Sequence, residues 1–148
     1  MKYVHFSPDG HRRLLGVLQG STITSLGDAT LEGLLASGTN LTAYAKDKIV
    51  NGTEYSADSV IWLPPLTSPG KIVCVGLNYA DHTKESNFEP QTYPTLFPRF
   101  NSSLIGHLAP MTRPLVSDSL DYEGEMAVIL GGGGRHIPKD RALECVAG

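Results

Sequence analysis

Pro64 and Pro65, then Pro69 with Gly70, punctuate "LPPLTSPGK" so densely that neither a helix nor a ladder strand can run through it. Proline lacks the backbone donor and fixes φ, so each one ends regular structure or confines it to an edge. The stretch therefore separates two pieces of chain, residues 1–63 and 64–148, whose apolar patterns differ.

The first piece begins "KYVHFSPDGHRRLLGVLQGSTITS", short apolar runs broken by "SPDG" and "QG", which is turn chemistry between strands. A small β-meander is the expected result. "DATLEGLLASG" follows, with Leu31, Leu34 and Leu35 at helical spacing, Asp28 or Thr30 as N-cap and Gly38 as the stop. A weaker helical pattern continues over "LTAYAKDK".

In the second piece "KIVCVG" is a continuous apolar run, expected as a buried strand, and "NYADHTKES" changes period to a short helix. "PTLFPRF" and "SLIGH" read as short extended pieces. "EGEMAVILG" has the strongest strand pattern in the chain, with "GGGG" as its turn, and "IPKDRALECVAG" reads as a closing helix with Pro138 in its first turn. The fold class expected is mainly β with short helices, an α+β chain.

Composition narrows the function. The net charge is −3, and basic residues cluster nowhere beyond "HRR", which argues against nucleic acid or an anionic membrane as partner. The start "MKYVHFSPDG" has no apolar run of signal-peptide length, and no run would span a bilayer, so a cytoplasmic protein is expected. Cys74 and Cys145 have no C-x-x-C partner and are expected as buried reduced thiols.

Glu123 and Glu125 carry the sharpest chemical signal. On a strand, residues i and i+2 share a face, so the two carboxylates point the same way, together with Ala127 and Ile129. Like charges on an apolar face repel and lose hydration unless a cation lies between them. Without His or Cys nearby the donor set suits a hard ion, magnesium or manganese before zinc, with calcium as the larger alternative. Two hydrated glutamates at a solvent-facing strand end satisfy the same pattern.

A second constellation lies in "GLNYADHTKES". His82 and Glu85 are three apart, so a helix sets them on one face, where the carboxylate can orient the imidazole as a water-activating base. A solvated surface pair has the same spacing. Gly76 and Asn78 suit a tight turn at which backbone approaches a ligand. The four glycines are followed by no G-K-[ST], so no phosphate loop is expected, and His5, His11, His107 and His136 have no ligand spacing.

In this order, "PGKIVCVGLNYADHTKE", "YPTLFPRFNSSLIG" and "DYEGEMAVILG" resemble the fumarylacetoacetate hydrolase family. The resemblance implies a small N-terminal β-meander-plus-helix domain, 1–63, ahead of an incomplete catalytic domain, 64–148, forming the first part of a mixed β-roll, in a homodimer. It implies magnesium or manganese on Glu123 and Glu125, with a third, aspartate ligand that has no counterpart up to Gly148. His82, partnered by Glu85, would be the catalytic base of a lid. Arg99, Asn78 and Tyr79 would bind a small 2-oxo acid substrate.

The activity implied is C–C bond hydrolysis of an acylpyruvate or a fumarylacetoacetate-type β-diketo acid, as in aromatic catabolism. An isomerase or decarboxylase of a 2-oxo or 2-hydroxy-diene-dioate is the alternative, and a non-catalytic module or subunit is the other.

Overall fold

A computed structural model describes residues 1–79 and 92–148. The chain divides into two compact units, one made of residues 1–67 with 105–148, the other of residues 68–104.

In the larger unit, β1 (Lys2–Ser7), β2 (Leu14–Gln19) and β3 (Thr22–Gly27) form the expected meander. Its first turn is tied by Asp9, whose Oδ1 accepts from the backbone N–H groups of His11 and Arg12, both at 2.9 Å. Its second is a two-residue hairpin in which Gly20 takes φ +60°, the left-handed conformation that such turns need. β4 (Glu54–Ser56) and β5 (Ile61–Trp62) complete an antiparallel sheet in the order β4-β3-β2-β1-β5.

Two helices lie between β3 and β4. In α1 (Leu31–Ala36) Thr30 accepts from the Gly33 N–H, and at the other end Gly38, at φ +69°, and Thr39 donate back to Leu35 and Leu34. That reciprocal pair of bonds is a Schellman cap, which satisfies the last carbonyls of the helix. α2 (Leu41–Ile49) is capped by the Asn40 side chain on the Ala43 N–H.

Alternation along the strands sends Leu15 and Val17 to a core with Leu26, Leu31 and Ala45. The opposite parity buries Phe6 and Ile23, and Phe6 meets Tyr55 edge-on at 5.2 Å between ring centres. Gly16 lies between them: a Cβ there would come within 2.6 Å of Ile23 Cγ2 and 2.9 Å of Phe6 Cε1.

The rest of this unit has little regular structure. Gly106 packs so close to the Trp62 carbonyl that a Cβ would overlap it, and His107 meets the Trp62 ring edge-on. The "SLIGH" piece is in part a 3-10 turn, Asn101–Ser103, in the other unit. The closing helix is a 3-10 helix, Lys139–Cys145, led by Pro138.

The largest departure concerns "EGEMAVILG". Residues 121–129 form no strand; the order begins at Leu130, which makes an isolated antiparallel bridge with Val146, flanked by Ile129 N–H to Gly148 O at 2.7 Å and Gly131 N–H to Cys145 O at 2.9 Å. Strand propensity is realised only against a neighbour. Among the described residues no strand lies beside 121–128.

In the smaller unit, β6 (Ile72–Gly76) and β7 (Thr95–Arg99) pair antiparallel from Ile72↔Arg99 to Gly76↔Thr95. Pro98 is tolerated because the ribbon has only edges. β6 is half-buried with Val73 exposed, not fully buried. Cys74 and Cys145 are unpaired and half-buried. Among the described residues no helix is long and apolar enough to cross a membrane.

Candidate functional site

The sequence-derived site residues fall in both units. β6 delivers the chain through Gly76 to Leu77, Asn78 and Tyr79, the last two exposed. The tight turn expected here is real, but its left-handed residue is Leu77, at φ +55°, rather than glycine or asparagine. A bulky residue in that region costs of order 1–3 kcal/mol and marks a place where the local path is imposed by its surroundings. His82 and Glu85, directly beyond, lie outside the described residues.

Arg99 stands opposite Ile72, four ladder steps from the Gly76↔Thr95 pair. At roughly 3.3 Å per residue, that sets it about 13 Å along the ribbon from the turn bearing Asn78 and Tyr79. The pairing also places Ile72, Cys74, Gly76, Thr95, Phe97 and Arg99 on one face, consistent with Phe97 lying 3.5 Å from a Cβ position on Gly76. Arg99 is exposed.

Glu123 and Glu125 belong to the larger unit and are both exposed. Beside them Asp121 accepts from the Tyr122 N–H at 2.8 Å. Downstream, the chain is fixed by Gly131, where a Cβ would meet Ala147 Cβ at 2.8 Å and Leu35 Cδ2 at 2.9 Å, so the segment after the glutamates is packed on α1. Ile129, which shares the glutamates' parity, is half-buried, whereas Met126 and Val128 are exposed.

As metal donors the two carboxylates fit a hard divalent ion in kind, since such ions take oxygen ligands. They do not complete a shell: no group of three or more His, Cys, Asp or Glu able to hold a metal occurs among the described residues. Among the described residues the structure adds no ligand that the sequence had missed. It does add a histidine, His5, buried in the core and hydrogen-bonded at both ring nitrogens. Its neighbours in sequence, Val4 and Phe6, mark a strand, but its partners lie 26 and 60 residues away, so no local pattern announces them.

The family profile described as fumarylacetoacetate (FAA) hydrolase C-terminal matches residues 71–148. The mitochondrial oxaloacetate tautomerase Fahd2a of Rattus norvegicus is 43% identical over 89 residues, which are 60% of this chain and 28% of that protein. An uncharacterized protein of Archaeoglobus fulgidus is 37% identical over 100 residues, 68% of this chain and 40% of that one. Among solved structures, the fumarylacetoacetate hydrolase from the psychrophile Exiguobacterium antarcticum superposes with a TM-score of 0.77 at 32% identity, covering 99% of this chain and 52% of that one. The chain thus spans about half of that solved relative and less of the curated ones. The mainly β architecture with short helices is the architecture of that structure's corresponding half.

Proposed function

Because the chain belongs to the fumarylacetoacetate hydrolase family, we propose that it serves a metal-dependent enzyme that hydrolyses a C–C bond in an acylpyruvate or fumarylacetoacetate-type β-diketo acid. The observation that carries this reading is the run of three motifs from Pro69 onward, all but its first two residues within the matched residues 71–148, ending in the segment of Glu123 and Glu125. Small acidic substrates of this kind present two adjacent oxygens and a carboxylate.

In this reading Glu123 and Glu125 supply two oxygen ligands to magnesium or manganese. When bound, the cation would polarise the substrate's adjacent oxygens. His82, oriented by Glu85, takes a proton from water as the water's oxygen adds to the carbonyl carbon. The C–C bond then breaks, leaving a carboxylic acid on one side and, on the other, an enolate that takes up the proton. Arg99 pairs with the substrate's distal carboxylate, and Asn78 and Tyr79, at the other end of the ribbon, line the turn that its reacting end approaches. The working enzyme is a homodimer in the cytoplasm, a reducing compartment consistent with unpaired Cys74 and Cys145.

A second reading has its own support: relatives that match over 89 residues are named oxaloacetate tautomerases. Tautomerisation needs only a proton moved between carbon and oxygen of a 2-oxo acid, which the same base and cation could do without adding water. An isomerase or decarboxylase uses that chemistry too.

The test is a calorimetric titration with manganese, run for the wild type and Glu125→Ala, followed by product analysis with an acylpyruvate and with oxaloacetate. Saturable binding lost in the variant, with magnesium-dependent acylpyruvate cleavage, supports hydrolysis. Enol–keto exchange without cleavage selects the tautomerase. A folded chain inert to metal and to both substrates leaves the non-catalytic module.

A further inference from the structure

Pairing of β6 with β7 sets six residues in one row on one face of the ribbon: Ile72, Cys74 and Gly76, with Arg99, Phe97 and Thr95 opposite them. Arg99 is the charged member of the row, is exposed, and makes no ion pair among the described residues. Phe97 stands midway, two ladder steps from Arg99 and two from Thr95. Its ring reaches diagonally to Gly76, with Cε1 3.5 Å from where a Cβ on the glycine would lie, and 41% of the residue stays exposed. Covering a bare glycine accounts for that lean. It does not account for a cation without an ion pair at the far end of the same apolar row.

We propose that this row measures the substrate. Phe97 is a specificity-determining residue, the floor under a hydrocarbon spacer, and the substrate is an acylpyruvate whose acyl group ends in a carboxylate about six or more bonds from the carbonyl that is attacked. The proposal rests on the reading above, in which the reacting end approaches the turn of Asn78 and Tyr79 while Arg99 takes the distal carboxylate.

The length follows from the register. About 13 Å separates Arg99 from the Gly76↔Thr95 pair. Three bonds of an extended chain advance about 3.3–3.6 Å, so the Arg99 stem from Cα to Cζ covers at most about 6 Å of that, even when the side chain leans along the strand. Roughly 7 Å remain, which is about six bonds of substrate. The chemistry follows from the row itself. Between Arg99 and Thr95 the side chains are those of Ile72, Phe97 and Cys74, which offer a spacer hydroxyl no strong hydrogen-bond partner, so it would lose water without replacement. A shorter acyl group leaves its carboxylate over Phe97, out of reach of Arg99.

A series of 2,4-dioxo dioic acids, with the distal carboxylate two, four, six or eight bonds from the attacked carbonyl, tests this by turnover and by calorimetric binding, both with magnesium present. In the wild type, affinity and kcat/KM should rise about tenfold or more between four and six bonds, as a charge-assisted hydrogen bond is gained, and a hydroxyl at mid-spacer should cost about tenfold. Arg99→Leu should remove the step. Phe97→Ala should keep the step and lose most of the discrimination against the hydroxyl, whereas Leu96→Ala, on the opposite face and 59% exposed in the wild type, should change neither. No length step in the wild type, a step that survives Arg99→Leu, or undiminished hydroxyl discrimination in Phe97→Ala would each overturn the proposal. Were Phe97→Ala to lose its fold, the length step with and without Arg99 decides. A length step in binding without cleavage sinks the hydrolase and keeps the ruler; cleavage at equal rates along the series, without a step in binding, keeps the hydrolase and sinks the ruler.

Discussion

Gly131 and Leu35 approach so closely that a Cβ on the glycine would lie 2.9 Å from Leu35 Cδ2, and 2.8 Å from the Ala147 Cβ. The residue six positions beyond Glu125 is thereby seated on α1, and the glutamate segment is anchored at one end while 121–128 forms no strand. Leu35 can move its flexible tip; the Ala147 Cβ is fixed to the backbone. Gly131→Ala should therefore loosen the 129–131 pairing with 145–148. A loss of about 1–2 kcal/mol corresponds to roughly 5- to 30-fold faster exchange at the Ala147 amide, which bonds to Ile129. Unchanged exchange would mean that the chain relaxes around the methyl group without cost.

Gly16 poses a stricter version of the same problem inside the sheet. Its missing side chain leaves room for Ile23 and Phe6, both fully buried, so neither can yield to solvent. Gly16→Ala should cost about 1–3 kcal/mol through overpacking. Thermal unfolding followed by circular dichroism should show the melting point falling by several degrees, and the double variant Gly16→Ala, Ile23→Val should recover part of the loss.

The first turn carries a pH signature. The backbone N–H of Arg12, then its guanidinium, 2.6 Å from Oδ2, and the His11 N–H hold the Asp9 carboxyl well below its ordinary value of 3.8. A depressed folded value means that the ionised form stabilises the fold at pH above 3.8 and that this contribution is lost as pH falls from 3.8 through the folded value. Asp9→Asn should be less stable than the wild type at neutral pH, and the gap should close below 3.8. Paired urea titrations from pH 6 to 2 measure it; a gap that stays constant would show that charge plays no part in the turn.

Much of the first 63 residues could be read from local signals. "SPDG" and "QG" place two turns where Asp9 and Gly20 make them, and Thr30 and Gly38 mark the ends of α1. These features are set by residues within a turn or two of each other. The strand expected at Glu123–Gly131 was not local in this sense, since its alternation needs a partner strand, and pairing appears only where 145–148 returns beside Ile129 and Leu130. Leu115 and Val116, 98% and 97% exposed, belong to the same stretch, in which apolar side chains find no cover among the described residues. The site follows the same division. The motif order identified the family, while Arg99, Asn78 and Tyr79 fall in one unit and the two glutamates in the other, a division that no local pattern announces.

The proposed roles separate kinetically. If His82 is the base and Glu85 its orienting partner, His82→Ala should leave manganese affinity intact and lower kcat by about 10²- to 10⁴-fold on an acylpyruvate, the usual worth of a positioned base. Glu85→Gln should act in the same direction but less, because the imidazole stays in place with its basicity reduced. Arg99→Leu should instead raise KM while kcat changes little, as expected when a substrate carboxylate contact is made equally in ground and transition states. Its position at the far end of the β6–β7 ribbon from Asn78 and Tyr79 makes this the most discriminating of the three. A fall in kcat with unchanged KM would place Arg99 at the reacting carbon rather than at the substrate's distal carboxylate, and the assignment of the ribbon's two ends would have to be exchanged.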